Sequence, residues 1–467
     1  MANNEYRTES DSMGEMQVPA NAYYGAQTAR AVENFPISGI TLPFEFIKAM
    51  GMIKLAAAEA NMELGLLDKK RGKAIVMAAQ EVIDGKLNEH FVVDIFQTGS
   101  GTSTNMNTNE VIANRANEIM GGKTGDKSMI HPNDHVNMGQ SSNDTIPTAI
   151  HVSTLVEIKQ NLIPTMRKLE RSLAKKAKQF DNTVKIGRTH LQDATPIRLG
   201  QEFSGYRSMI SHGIRRLFSV EDNLSELAIG GTAVGTGINT HKKFGRKVAR
   251  KISLLSGVRF KEALNHFEAQ ASKDAVVETS AVLKTLAVSL MKIANDIRWL
   301  GSGPRCGIGE IIIPPVQPGS SIMPGKVNPV IAESVAQVAA HVIGNDAAIT
   351  IGGQSGNFEL NVMMPMMAHN VLESVRLLNN VSDVFVEKCI NGIKVDKKRC
   401  EEMIEKSLAM CTSLAPKIGY DNAASIAKEA YSSNRTVREV AIEKAVLPEK
   451  ELKKVLDPHK MTEPSSK

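Results

Sequence analysis

Between Gly257 and Gly301 the chain has neither glycine nor proline, and Leu283, Leu286, Leu290, Ile293, Ile297 and Leu300 recur at alternating steps of three and four. That spacing predicts one face of a long buried helix. A second stripe runs through Leu155, Leu162, Met166, Leu169, Leu173 and Ala177, with Pro164 inside it. Proline removes one backbone donor and crowds the carbonyl four residues back, so the pattern predicts a kink there rather than an end. Helical patterns also cover Phe44 to Leu64, Lys69 to Ile83, Glu110 to Met120, Val330 to Ile349, Met363 to Ile390 and Asp396 to Leu408. Alternating runs of β-branched residues are scarce, so the fold is expected to be mainly α, with the long helices forming a bundle.

Periodicity gives way to Gly, Ser, Thr and Asn at 97–109, 131–147, 187–201, 230–241 and 301–329. These read as polar loops joining long helices, where a rigid bundle would present a site. Boundaries near residues 140 and 395 divide the chain into three domains. Residues 1–140 form an N-terminal, mainly helical domain, 141–395 a central long-helix bundle, and 396–467 a small helical C-terminal domain. Thr462 to Lys467 read as a frayed tail.

At 467 residues, 42% hydrophobic and 23% charged, the chain is long enough for more than one core and ordinary in composition. No apolar run reaches the length of a membrane span, and Met1 to Tyr6 lack the basic and apolar regions of a leader, so a cytoplasmic protein without a membrane partner is expected. The cysteines Cys306, Cys389, Cys400 and Cys411 form no CxxC pair or zinc pattern. A net charge of +6 is compatible with approach of small anions, but reads better as an ordinary mixed surface. Basic runs such as Lys175, Lys176 and Lys178, or Lys242 and Lys243, lack interleaved aromatics, which argues against nucleic acid. The 22 methionines, among them Met363, Met364, Met366 and Met367, read as adaptable core and interface filler.

Chemistry concentrates in Gly319-Ser320-Ser321-Ile322-Met323-Pro324-Gly325-Lys326-Val327-Asn328-Pro329, followed by Glu333. Two glycines allow a mobile loop, two serines offer hydroxyls, Lys326 brings a fixed positive charge, and Asn328 then Pro329 read as cap and first residue of a helix. The lysine and the helix N-terminus together favour a carboxylate. A second segment is Gly187-Arg188-Thr189-His190-Leu191-Gln192-Asp193-Ala194-Thr195-Pro196. Two more offer short donors: Gly99-Ser100-Gly101-Thr102 with Asn105, Asn107 and Asn109, and Gln140-Ser141-Ser142-Asn143-Asp144 leading into a helix. Alone, either of these two also reads as a helix-capping loop.

The serine loop resembles the signature of the fumarase/aspartase superfamily, and His190 stands where aspartases commonly carry glutamine, which is similar to the fumarase form. The resemblance extends through Gly230-Gly231-Thr232-Ala233-Val234-Gly235-Thr236-Gly237, Gly303-Pro304-Arg305-Cys306-Gly307 and Phe358-Glu359-Leu360-Asn361-Val362 across nearly the whole chain. The glycine-rich run lacks the terminal Lys-Ser/Thr of a phosphate loop and reads as a tight helix-to-helix connection. The resemblance implies a three-domain fold with a long central helix bundle and reversible hydration of fumarate to (S)-malate. It implies Ser320 as the base at C3, and His190 with Glu333 handling water at C2. Ser100, Gly101, Thr102, Ser141, Ser142, Asn143, Thr189, Ser321, Lys326, Val327 and Asn328 are implied to bind the dicarboxylate. His131-Pro132-Asn133-Asp134 matches a second, shallower anion site, where a loop-structural role is equally open. No metal and no organic cofactor are implied. The expected partners are fumarate and malate and, in a homotetramer, other copies of the chain that share each site. An ammonia lyase and a non-catalytic binding member are the rival readings.

Overall fold

The stripe from Leu283 to Leu300 lies on one helix, Asp274–Leu300, in the computed structural model of the chain, which describes residues 6–464. All six stripe residues are buried, and burying a leucine or isoleucine side chain is worth roughly 1.5 to 3 kcal/mol. Of the expected tail, Thr462 closes a short 3-10 turn, Lys460–Thr462; residues 465–467 lie outside the described range.

Pro164 does not end its helix. Ser142–Glu157 passes through a π-helical turn, Ile158–Leu162, into Ile163–Gln179. Widening the turn just before the proline gives its ring room where an α-helical carbonyl would crowd it. The other expected helices appear as Phe44–Glu63, Lys69–Ile83, Val330–Gln354, Met364–Lys388 and Lys397–Lys406. Three local expectations need correction. The helix expected from Glu110 begins at Thr102 and runs to Ile119, because its polar residues turn inward to polar partners instead of outward to water. Segment 187–201 is mostly a β-hairpin, Val184–Thr189 paired with Gln192–Arg198. Asn328 spends its amide on the Gly319 carbonyl at 2.8 Å, and the helix after it starts at Val330. A further helix, Leu199–Ser219, follows the hairpin and buries Phe203, Tyr206, Ile210, Ile214 and Leu217 at helical spacing.

Two compact units make up the described chain. The first runs to Pro164 and adds Arg215–Ala287 and Ala340–Asn379. Its hub is Phe44–Glu63, buried at fourteen positions and packed by Lys69–Ile83, Ser142–Glu157 and Phe244–Ser256. Apolar groups on all sides are what a central helix requires. The second comprises Thr165–Ile214, Val288–Ala339 and the chain from Asn380 onward. It holds the Val184–Arg198 hairpin and a separate apolar cluster of Ile404, Met410, Leu414, Ile426, Val440 and Leu456. No described helix is long and apolar enough to cross a membrane.

Replacing Leu290 by alanine removes a fully buried side chain from the longest helix. It should cost about 2 to 5 kcal/mol, read as a lowered urea midpoint of the purified protein.

Candidate active site

In the first unit, two of the polar motifs meet. Thr102 Oγ1 lies 2.7 Å from both Ser100 Oγ and Ser142 Oγ, so three hydroxyls from two segments form one chain. Gly101 initiates the Thr102–Ile119 helix at φ +74°, a left-handed conformation that favours glycine. Gly99 is required by space: a Cβ there would sit 1.8 Å from the Val362 carbonyl, while Met364 N donates to Gly99 O at 3.0 Å. The Phe358–Val362 motif thereby buttresses the serine-threonine segment.

Ser141 caps the next helix in a reciprocal box with Asp144. Its hydroxyl accepts from Asn143 N at 3.2 Å, and Asn143 Nδ2 donates to Ala233 O at 2.8 Å, tying the segment to the glycine-rich run. Asp144 is fully buried and accepts from the backbone N–H groups of Ser141, Gly230 and Thr232. Burial pushes its carboxyl up to about 6 against those donors. Thr102, Ser141 and Ser142 open onto a cavity of about 370 Å³ whose floor also includes Asn105, Asn137 and Gln140. The capping reading and the binding reading of these loops are thus compatible. Backbone donors are used in capping, whereas the hydroxyls of Thr102 and Ser142 line open space.

Sequence reasoning missed Lys54. Its ammonium is fully buried and donates to Asn105 Oδ1 at 2.7 Å, Asn137 Oδ1 at 2.9 Å and Gln140 Oε1 at 3.0 Å. A single charge amid Met50, Met52, Ile53, Leu55, Ala56 and Ala57 was the available signal, because a lysine there cannot reach water without breaking the stripe.

The second unit carries His190, Ser320, Lys326 and Glu333. His190 and Leu191 form the two-residue tip between Thr189 and Gln192, with φ of +56° and +59°. Both central residues of a type I′ turn need positive φ, a place usually taken by Asn-Gly. Holding two residues with Cβ atoms there costs roughly 1 to 3 kcal/mol each. The hairpin's anchor offsets that strain. Arg188 grips the fully buried Glu310 with two 2.9 Å hydrogen bonds, and Lys185 lies 3.3 Å from the same carboxylate. Glu202 stands 3.5 Å from Lys185, its carboxyl pushed up by burial. The imidazole of His190 and the side chain of Thr189 are exposed at the tip.

In the serine loop, Ser320 Oγ accepts from Ile322 N at 3.2 Å and Met323 N at 2.9 Å. Two N–H groups on one hydroxyl oxygen favour negative charge there. Gly319 N donates to Lys326 O at 2.7 Å, closing the loop, and Gly325 takes φ +78°. Ser321, Lys326 and Val327 are exposed, and Glu333, in the first turn of the Val330–Gln354 helix, is half-buried.

At the shallower anion segment, His131 Nδ1 accepts from Asn133 N at 3.2 Å and Asp134 N at 3.3 Å, capping the π-helical turn Pro132–Val136. His135 Nδ1 accepts from His131 N at 2.8 Å, and burial, then the charge of Arg71, lowers its proton affinity. One ring nitrogen of His131 is therefore engaged in local structure.

A family model described as Lyase matches residues 14–344, and one described as Fumarase C C-terminus matches 410–463. A class II fumarate hydratase of Halobacterium salinarum is 56% identical over 458 residues, 98% of this chain and 97% of that protein. The chain belongs to the class II fumarate hydratases. Another member of this family, fumarate hydratase class II 2 of Bradyrhizobium diazoefficiens, is 51% identical over 98% of the chain and 97% of its own length. The crystal structure of recombinant class II fumarase from Schistosoma mansoni superposes with a TM-score of 0.95 at 39% identity, covering 98% of this chain and 99% of that one. The mainly helical fold of a class II fumarate hydratase, expected from the motifs, is the fold found, and the chain is a lyase.

Glu310→Ala should leave the buried Lys185 and the half-buried Arg188 without their shared partner, a loss of about 3 to 5 kcal/mol. With the hairpin loosened, fumarate turnover should fall roughly tenfold or more. Denaturation and an absorbance assay check the two effects; unchanged values in both would remove Glu310 from its anchoring role.

Proposed function

We propose that this class II fumarate hydratase carries out the reversible, stereospecific hydration of fumarate to (S)-malate with Ser320 as base. The observation that carries this reading is the pair of N–H donors from Ile322 and Met323 on Ser320 Oγ. A serine hydroxyl is a poor base until its alkoxide is stabilised; two backbone donors on its oxygen contribute to that, with Lys326 as the positive charge of the same loop. In the dehydration of malate Ser320 takes the C3 proton, leaving a carboxylate that carries the developing second charge. Lys326 and Asn328 hold that charge; Asn328 has one amide hydrogen left after bonding Gly319. His190, with Glu333, passes a proton to the departing C2 hydroxyl, and hydration runs the same steps backwards. Ser100, Gly101, Thr102, Ser141, Ser142 and Asn143 bind the dicarboxylate, with Thr189, Ser321 and Val327 completing the set. His131, Pro132, Asn133 and Asp134 form a second anion site.

The reading extends to a cytoplasmic homotetramer whose sites draw on several copies. Val288, Trp299, Ile351 and Val384 are exposed apolar residues on the long helices Asp274–Leu300, Val330–Gln354 and Met364–Lys388. Large side chains in such positions favour burial against a second chain. Four free cysteines suit a reducing compartment. The division into residues 1–140, 141–395 and 396–467 belongs to the same proposal, supported at its C-terminal end by the separate apolar cluster of residues 404–456.

Ser320→Ala should lower turnover roughly a hundredfold or more, the scale of a lost general base, while binding changes far less because Lys326 and Asn328 remain. Near-normal turnover of a folded variant would exclude Ser320 as the base. Because serine, histidine, lysine and glutamate do the chemistry, chelator-treated protein should keep its activity on fumarate. Loss on chelation with recovery on adding iron would contradict the metal-free scheme, and ammonium-dependent aspartate formation would favour an ammonia lyase. Inactive His190→Asn and Ser320→Ala chains, reassembled together, should regain part of the activity if a site takes these residues from different copies. Verified mixed tetramers that stay inactive would exclude that division.

A further inference from the structure

The cavity beside Ser100, Thr102 and Ser142 has a lining that carries no ionisable side chain, yet its proposed ligand is a dianion. The cation bonded to that lining is Lys54, whose three acceptors Asn105, Asn137 and Gln140 all line the cavity. These bonds use every ammonium hydrogen, so Lys54 has no donor left for a substrate and acts through the amides. It turns their oxygens inward. One amide hydrogen of Asn105 then goes to Asn137 Oδ1 at 3.2 Å and one of Asn137 to Gln140 O at 3.2 Å, while Gln140 Nε2 donates to Val136 O at 3.1 Å and Met138 O at 3.3 Å, so Asn105 and Asn137 each keep one hydrogen.

Packing alone does not call for a charge at this point. Lys54 sits on the apolar hub helix with no exposed surface, where a methionine of similar length would avoid the cost of desolvating an ammonium. Resting on the fumarate hydratase reading, we propose that Lys54 is a positioning residue for the reaction. It orients the Asn105, Asn137 and Gln140 amides and supplies positive charge beneath the bound dicarboxylate. Burial lowers its proton affinity to about 7, and the charge acting against that is Asp144, itself buried on the Ser142–Glu157 helix. A dianion in the cavity adds a second negative charge nearby and so favours the protonated lysine.

Lys54→Met keeps the length and apolar packing of the side chain and removes its charge. In the assembled protein the KM for malate and the inhibition constant of succinate, an unreactive dianion, should both rise roughly tenfold, as expected for losing one nearby charge at the effective dielectric of a protein. The kcat should stay within about threefold of the parent, even where removing the donor from three buried amide oxygens lowers the melting temperature. A merely structural lysine would instead leave the succinate constant unchanged, or lower kcat together with the melting temperature, and either result overturns the proposal. If the methionine variant does not fold, Asn137→Ser removes one acceptor and leaves the lysine; the succinate constant should then rise several-fold, and an unchanged constant overturns the proposal. The two readings fail separately. Wild-type protein that binds succinate through Lys54 but does not hydrate fumarate would sink the hydratase reading and leave the anion-positioning role, whereas an active wild type with an indifferent Lys54→Met sinks this inference alone.

Discussion

An ammonium group taken out of water has to be surrounded by oxygens, and meeting that requirement at Lys54 organises much of the first unit. The acceptors come from the first turn of the Thr102–Ile119 helix and from the loop that precedes Ser142–Glu157. Bonding them to one nitrogen on the hub helix fixes two separately folded segments against a common point. The hydroxyl chain from Ser100 through Thr102 to Ser142 lies just beyond that point and depends on both segments being held. Asp144 meets the same requirement with the opposite sign. Its carboxylate collects N–H groups from the helix cap and from the glycine-rich run, which brings Thr232 and Ala233 to the same cavity.

The second unit answers a different constraint, backbone strain. A turn with His and Leu at positive φ is unfavourable by itself and persists only where the flanking strands are held firmly. Glu310, buried against Lys185 and Arg188, provides that hold along the first strand of the hairpin. The tip then projects an exposed imidazole from a backbone set by the flanking strands. The Ser320 loop is built more lightly. A short turn of backbone donors around the serine oxygen and one bond from Gly319 to Lys326 close it. That construction leaves the loop exposed and holds the Ser320 oxygen among backbone donors.

Sequence by itself determined the helices whose apolar residues recur at steps of three and four, because burial on one face leaves a periodic record. Leu283 to Leu300 and Lys69 to Ile83 are such cases. The serine loop and the His190 segment were also legible, since their residue types carry chemistry that no packing role demands together. Where polar side chains point inward, the record misleads. Asn105, Asn107 and Asn109 read as loop residues and proved to be buried helix residues; the partners of the first two, Lys54 and the His90 carbonyl, lie in other segments of the chain. Gly187 to Pro196 read as a loop because strands this short, with a turn of His and Leu, carry neither a clear alternation nor the usual turn residues. Only tertiary structure decided that Lys54 is buried among amide oxygens, that Glu310 is buried against Lys185 and Arg188, that Ser100 and Ser142 share one hydroxyl chain, and that Gly99 must lack a Cβ beneath Val362. Each of these depends on contacts between distant segments, and a side chain's partner across the fold leaves no periodic trace in the order of residues.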